Sequence, residues 1–328
     1  MNHLVTLAAL ATLFLSNFAS AEETSPPAIG ASRHVGCLAN PREVDRLEIT
    51  APGLYENYRL DGGGRGGNLV KISADDVTLR NCEIFGGTLN AVGVFGTRVL
   101  IENCHIHHML AGSFTDQKDS HGISGRWGDV TIRNCDISFT SGDSVQFDPD
   151  RRSRGAVTIE RCTFWTAPLE ADAGGFHKGE RPGENAIDTK TMPDGERCRL
   201  TIRDCYFHGW NQPAQIDNVA ALNIKEHVDA VVERCVFRDC ENALRVRGPG
   251  SRGGAKVALH DCAIYQSQVG VRIEDKIADL KITRLMFGPE VTKKYREAGG
   301  GVGAGYENTG EAEAPALETL IQNGFPNP

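Results

Sequence analysis

A five-residue pattern of alternating apolar and polar side chains recurs along the chain, most clearly within the stretch GENAIDTK at residues 183–190. The copies are GISGR (122–126), SVQFD (144–148), AIDTK (186–190), ALNIK (221–225), ALRVR (243–247) and GVRIE (270–274). Their second and fourth residues are mostly apolar and their third and fifth mostly polar, which is typical of a strand with one buried face. We therefore predict a series of strands whose polar face is open.

Stacking of these copies as parallel strands about 4.8 Å apart would align their polar positions into two ladders. The third positions are Ser124, Gln146, Asp188, Asn223, Arg245 and Arg272. The fifth positions are Arg126, Asp148, Lys190, Lys225, Arg247 and Glu274. Carboxylates, amides and cations then share one surface, where we expect the chemistry.

A second repeat is marked by a cysteine, as in VTIRNCDIS (130–138) and VTIERCTFW (157–165). The residues at this position are Cys82, Cys104, Cys135, Cys162, Cys205, Cys235 and Cys262, followed by Leu285. The shortest spacing, from Cys82 to Cys104, is 22 residues, and the longer spacings contain insertions. A short base unit with variable insertions is typical of a solenoid whose loops vary on one side.

The repeat also predicts a bend just before each cysteine. In VTIRNCDIS, Val130 and Ile132 point inward and so do Cys135 and Ile137, so the alternation must change parity between them. Short Asx side chains, which tolerate a left-handed backbone, occupy the bend in five units: Asn81, Asn103, Asn134, Asp204 and Asp261. Each unit then has three strands, and its cross-section is a triangle.

Over about residues 45–288 the sequence resembles the right-handed parallel β-helix proteins of the pectin-lyase-like superfamily, including secreted bacterial polysaccharide lyases. The resemblance rests on the 22-residue unit, the bend residues, the inward Cys, Ile and Val positions, and the segment YRLDGGGRGGNLVKIS at 58–73. It implies an all-β solenoid of about eight coils. Lyases, hydrolases, epimerases and non-catalytic adhesins share this fold, so it does not decide the reaction.

The regions outside the solenoid are assigned from composition. Residues 1–21 read as a signal peptide, with an apolar run at 4–15 and an A-x-A site at 19–21, which predicts a secreted or periplasmic protein beginning near Glu22. This run is too short to span a bilayer. Residues 22–44 are expected to form an N-terminal segment or cap. In the tail, 289–328, we expect a glycine-rich linker and a short capping helix within 314–325.

The net charge and the positions of the cysteines limit which binding partners and which disulfides we expect. A net charge of −8 argues against nucleic-acid binding and leaves any attraction for a polyanion to a local basic patch. Seven of the ten cysteines share one inward position, where we expect packed thiols rather than disulfides. The pairing of the other three, Cys37, Cys198 and Cys240, is left open. We expect a monomer that binds an acidic polysaccharide and no membrane.

The resemblance implies β-elimination on a uronic-acid polysaccharide, in which calcium or an Arg neutralises the substrate carboxylate and a Lys or Arg removes the C5 proton. We favour Lys225 as the base because cations flank it on both neighbouring coils, with Lys190 as the runner-up. Arg245 or Arg247 would bind the carboxylate. His121 is either a further base or a turn histidine that hydrogen-bonds the backbone.

Oxygen-bearing side chains near these cations suggest calcium as cofactor. The candidate carboxylate ligands are Asp148, Asp188, Asp143 and Glu184. Gln146 and Asn223 would add amide oxygens as ligands. The candidate substrate-binding residues are Gln146, Asn223, Arg126, Arg272 and Trp210. For Arg126, Arg272 and Glu274, a merely solvated polar face is the simpler interpretation.

Three alternatives to a lyase remain open from the sequence. A glycoside hydrolase would use paired carboxylates, for which Asp148 and Asp188 are available. A C5-epimerase would use the same scaffold with His121 as base. A non-catalytic polysaccharide-binding solenoid would need aromatic platforms, and Trp127 and Trp210 fall near loops.

Overall fold

A computed structural model describes residues 29–32, 34–147, 155–193, 195–211, 213–217, 219–249 and 253–325. The predicted signal peptide and the candidate ligand Asp148 lie outside the described residues.

The described chain winds through three parallel sheets in turn, so that each coil contributes one strand to each sheet. Sheet 1 contains β2 (Leu47–Ile49), β5 (Asn68–Ile72), β8 (Asn90–Val94), β11 (His121–Gly125), β14 (Val145–Phe147), β17 (Asn185–Thr189), β20 (Ala220–Ile224), β23 (Asn242–Arg247), β26 (Val269–Glu274) and β29 (Lys293–Ala298). Sheet 2 contains β3 (Gly53–Glu56), β6 (Val77–Arg80), β9 (Val99–Glu102), β12 (Val130–Arg133), β15 (Ala156–Glu160), β18 (Cys198–Arg203), β21 (Val228–Glu233), β24 (Lys256–His260), β27 (Ile277–Thr283) and β30 (Val302–Asn308). Sheet 3 contains β1 (Arg42–Glu43), β4 (Tyr58–Asp61), β7 (Glu83–Phe85), β10 (His105–Met109), β13 (Asp136–Thr140), β16 (Thr163–Trp165), β19 (Tyr206–His208), β22 (Val236–Arg238), β25 (Ala263–Tyr265), β28 (Leu285–Phe287) and β31 (Glu311–Glu313).

The bend between sheets 2 and 3 is built as the sequence predicts. Asn81, Asn103, Asn134, Asp204 and Asp261 all have φ between 49° and 55°. Three arginines adopt the same conformation at the equivalent position of other coils, namely Arg161, Arg234 and Arg284. Asn134 also donates to the Asn103 side chain on the preceding coil (2.7 Å), which adds a contact between neighbouring bends.

Inward side chains from all three sheets form one continuous core. The seven predicted cysteines are fully buried in a line, and none of the ten cysteines forms a disulfide. Two residues after the cysteine position, Phe164, Phe207 and Phe237 stack on one another with ring centroids 5.0 Å apart at each step. Full burial of such a side chain stabilises the fold by roughly 1.5–3 kcal/mol.

The solenoid extends further than predicted. Sheet 1 has ten strands among the described residues, so there are about ten coils rather than eight. The glycine-rich segment expected to be a linker forms strand β30, and β29 and β31 complete the same final coil. The side chains of β29 and β31 are mostly exposed or half-buried, so this coil lacks the apolar alternation that marks the others.

A short C-terminal helix, α1 (Leu317–Asn323), confirms the predicted element but not its capping role. Its buried Leu320 packs in a cluster with Ile29 and with Val236, Ala263 and Met286 of sheet 3. The helix therefore covers the outer face of that sheet over three coils instead of closing the end of the solenoid. No helical segment in the described part of the chain has the length and apolar character that crossing a bilayer requires.

Candidate functional site

The predicted ladder of polar residues is present on sheet 1 in the expected register. Parallel pairing aligns Ser124 with Gln146, Gln146 with Asp188, and Asp188 with Asn223. The ladder continues from Asn223 to Arg245 and from Arg245 to Arg272. Chemically different side chains from six coils thus follow one line across the sheet.

This ladder is much less open than the sequence suggested. Gln146, Asp188, Asn223 and Arg272 are each less than a tenth exposed. The long Lys225 side chain, for example, lies over Asp188. The more accessible groups are the cations Lys225, Arg245 and Arg247, whose side chains are 20%, 19% and 33% exposed.

Loops that connect sheet 3 to sheet 1 pack against one another. Leu110, Leu169, Phe176 and Ala214, from three successive long loops, pack into a separate apolar cluster. The Gln117 side chain joins two of these loops: its Oε1 accepts from the Gly183 N–H (3.1 Å) and its Nε2 donates to the Gly183 carbonyl (3.0 Å). The loops are therefore held together by both apolar and polar contacts.

Lys225 and Asp188 form an ion pair at the centre of the ladder, with Nζ 3.0 Å from Oδ2. The sequence pattern places cations on the coils to either side of Lys225. Instead, the long Lys225 side chain reaches diagonally back to the preceding coil and meets a carboxylate. Cationic neighbours therefore do not supply the reason to prefer Lys225 as a base.

The backbone at Lys225 is fixed by the side chain of Thr189 on the preceding coil. The Thr189 hydroxyl accepts from the Lys225 N–H (2.8 Å) and donates to the Lys225 carbonyl (2.9 Å). Thr189 is 1% exposed, so water cannot replace these contacts. Sequence reasoning missed this positioning role, because a threonine at an inward position of a strand carries no distinctive signal.

Three carboxyl groups lie near one another on sheet 1: Asp143 and Glu184 precede β14 and β17, and Asp188 lies within β17. Burial, followed by repulsion from Asp188 and Glu184, raises the pKa of Asp143 well above its ordinary value. The pKa of Glu184 is raised by burial and by Asp188. Burial also raises the pKa of Asp188, although Lys225 acts in the opposite direction. Such crowded carboxyls are held protonated more readily than usual, or are stabilised by a cation.

His121 lies against the turn that carries Asp143, just before β14, and is 6% exposed. The Asp143 backbone N–H donates to its Nδ1 (3.0 Å), as expected of a turn histidine. The Asp143 carboxylate itself accepts from the Asn185 side chain (2.8 Å). His121 therefore helps to build the turn that carries Asp143.

The oxygen atoms of the ladder offer a partial fit to the predicted calcium site. Among the described residues, Asp188 Oδ1 and Asn223 Oδ1 are buried without a hydrogen-bond partner, and they belong to residues paired across adjacent strands. Such unpaired hard oxygens are what calcium coordinates. Within the described part of the chain, Asp143, Glu184 and Asp188 do not bring three ligand atoms within 4.8 Å of one another.

Further along sheet 1, one buried carboxylate holds three arginines. Glu274 Oε2 lies 2.9 Å from Arg245 Nη2 and 3.1 Å from Arg247 Nε, and Glu274 Oε1 accepts from Arg272 Nε. Arg247 also contacts Asp275 at 3.4 Å. Among the described residues, Arg272 Nη1 is buried without a partner. The solvated-face interpretation is wrong for Arg272 and Glu274, which are 8% and 4% exposed, because they bury each other.

Two aromatic candidates must be corrected. Trp210, predicted to bind substrate, is 1% exposed and packs in the core, and so does Trp127 at 2%. Both were placed near loops by sequence, but their rings turn inward beneath those loops. Neither offers a stacking platform. Arg126, by contrast, is exposed and lies over the Phe95 ring at 5.6 Å.

Comparisons with known proteins bear on the fold of the chain. Residues 55–168 match the family described as "Right handed beta helix region". A search among curated proteins finds no match.

Among solved structures, the chain is similar to alginate lyase from Paenibacillus sp. str. FPU-7, with 12% identity, a TM-score of 0.48, and 84% of this chain and 83% of that chain covered. It is also similar to pectate lyase Pel9A, with 13% identity, a TM-score of 0.45 and coverage of 89% and 69%. A third similar structure is the catalytic unit of the GH87 alpha-1,3-glucanase from Streptomyces thermodiastaticus strain HF3-3, with 12% identity, a TM-score of 0.39 and coverage of 87% and 69%. At these values no conclusion about activity follows. Together with the family match over residues 55–168, the three parallel sheets show that the chain folds as a right-handed parallel β-helix.

Proposed function

We propose that the protein is an exported polysaccharide lyase that cleaves a uronic-acid-containing polysaccharide by β-elimination. The observation that carries this proposal is a group of three partly exposed cations on neighbouring coils of sheet 1, Lys225, Arg245 and Arg247, each held by a carboxylate. In a chain of net charge −8, such a local surface is what an acidic polymer would need.

The arginines suit the substrate carboxylate. A guanidinium binds a carboxylate through two parallel hydrogen bonds, and it stabilises the extra charge that the carboxylate gains as the C5 proton leaves. Arg245 and Arg247 remain partly accessible although both contact Glu274. Glu274 holds their side chains in place before substrate arrives, which reduces the entropy that binding would otherwise lose.

Lys225 is the proposed proton acceptor. Its Nζ takes the C5 proton, the C5–H electrons form the C4–C5 double bond, and the C4–O4 bond breaks. The departing O4 takes up a proton, which Lys190 or the newly formed Lys225 ammonium supplies. The Asp188 carboxylate, 3.0 Å from Nζ, holds the Lys225 side chain in position on the ladder.

Calcium remains the proposed cofactor. The unpaired oxygens of Asp188 and Asn223 would hold it, with Asp143, Glu184, Gln146 and Asp148 as further candidate ligands. When bound there, the ion would neutralise the substrate carboxylate and make the C5 proton more acidic.

A glycoside hydrolase is the second candidate, because the raised pKa values of Asp143, Glu184 and Asp188 are what a general acid requires. A C5-epimerase would share with a lyase only the removal of the C5 proton. A panel of pectate, alginate, chondroitin and other glycuronans, with and without EDTA, separates these activities. A lyase produces an ultraviolet-absorbing unsaturated product. New reducing ends without that absorbance would show hydrolysis, and neither signal from any polymer would overturn the proposed function.

A further inference from the structure

Two histidines and a glutamate converge on the outer face of sheet 3, away from the sheet that carries the polar ladder. Glu83 lies on β7, while His105 and His107 lie on β10 of the next coil, with Glu83 directly opposite His105. Residues two apart on a strand point to the same face. One potential ligand atom from each of the three side chains lies within 4.8 Å of the other two.

The separation within this cluster matches a shared metal ion. Two ligands bound to one tetrahedral ion at about 2.1 Å lie about 3.4 Å from each other. His107 Nε2 lies 3.3 Å from Glu83 Oε1. The His105 and His107 rings lie with their centroids 4.2 Å apart, so the second imidazole is close enough to join them.

Surrounding contacts orient the two ligands that face each other. Arg59 Nε binds Glu83 Oε2 at 2.7 Å, which leaves Oε1 directed at His107. The other ring nitrogen of His107 lies 2.8 Å from His108 Nδ1, and the Phe85 ring stacks on the His107 ring at 4.9 Å. Outer contacts of this kind fix ligand orientation in protein metal sites.

The donor set also selects the kind of ion. Two imidazoles and one carboxylate suit zinc and other first-row transition metals, whereas calcium prefers oxygen ligands alone. The side chains of His105, Glu83 and His107 are 34%, 27% and 14% exposed, so an ion can enter from solvent. Asp136, with Oδ1 3.9 Å from His105 Nε2, adds negative charge beside the cluster.

We propose that Glu83, His105 and His107 form a binding site for a divalent transition-metal ion, zinc being the best fit. The site is independent of the proposed lyase function. Because its ligands come from neighbouring coils, a bound ion would tie β7 to β10 and raise the stability of the folded protein.

Zinc titration of tag-free, EDTA-stripped protein by calorimetry tests this proposal. Wild type should bind one zinc ion per chain, and its melting temperature should rise with zinc but not with calcium. Substitutions His107→Gln and Glu83→Gln should each weaken zinc binding by roughly 100-fold, the upper range seen when even outer contacts of metal sites are removed. The matched control is His208→Gln, because His208 lies on the same sheet and stacks on Trp165 instead of facing a carboxylate.

The control should retain wild-type zinc affinity, and metal-free circular dichroism and melting should confirm that each variant is folded. If a ligand variant does not fold, the other ligand variant carries the comparison. The proposal is overturned if wild type shows no saturable zinc binding up to millimolar concentrations. It is also overturned if folded ligand variants bind zinc as tightly as wild type does.

Discussion

Replacing Glu274 by Gln removes the carboxylate that three arginines share, and it should destabilise the solenoid by about 3 kcal/mol. Breaking a buried ion pair by removing one partner costs about 3–5 kcal/mol. The Arg272 and Glu274 side chains, at 10% and 5% exposure, approach that buried limit. Arg245 and Arg247 are more exposed and each adds about 1 kcal/mol at most, because water can replace the lost contact. The amide oxygen of the introduced Gln side chain still accepts a hydrogen bond, so the expected loss of stability lies near 3 kcal/mol, the lower end of the range for a buried ion pair.

Urea denaturation of wild type and Glu274→Gln measures this difference. The matched control is Glu43→Gln, because Glu43 is 63% exposed and lies 3.4 Å from Arg59, and it should change stability by less than about 1 kcal/mol. Burial raises the pKa of Glu274, but hydrogen bonds from Arg245 and Arg272 outweigh it and lower the pKa overall.

The pH dependence follows from that direction. A depressed folded-state pKa gives stability that is fully present above the unfolded value of about 4.3 and is lost as the pH falls through the folded value. The gap between wild type and Glu274→Gln should therefore close in acid. Equal stability of the two proteins at neutral pH, or a gap that does not depend on pH, would refute the reasoning.

Two further variants test the site and the core. Asp188→Asn should reduce activity or calcium affinity while changing the melting temperature little. The substitution removes a buried charge, and the Lys225 side chain that loses its partner is 20% exposed, so water can replace the contact. Wild-type activity and calcium affinity would argue against a role for Asp188. Cys162→Ser should lower the free energy of unfolding in urea by about 1–3 kcal/mol if the buried hydroxyl finds no hydrogen-bond partner in the thiol line. Unchanged stability would contradict that packing argument.

The fold was predictable because its signals are local and repeated. Alternation of period two identifies the sheet 1 strands, and the bend asparagines with positive φ occur where the parity changes. The register of Gln146, Asp188 and Asn223 follows from the same pattern. The final coil was missed because β29 and β31 face solvent on most positions and therefore carry little apolar pattern.

The contacts within the site were less predictable because they depend on side-chain reach. Sequence aligns Lys225 with the cations at the same position of neighbouring coils, but its flexible stem extends diagonally to Asp188. The burial of Trp210 depends on how a loop folds over it. The cluster of Glu83, His105 and His107 joins two coils, so no local spacing reveals it.

The most direct test of the central claim is the initial rate of unsaturated-product formation by Lys225→Ala on the glycuronan that wild type degrades. Lys190→Ala tests the runner-up, and Lys256→Ala is the matched control, because Lys256 is a 53% exposed lysine of sheet 2. Loss of a general base slows a reaction by roughly 10² to 10⁴. We predict such a loss for Lys225→Ala and a wild-type rate for Lys256→Ala. A Lys225→Ala rate above about a tenth of wild type would contradict the assignment of the base.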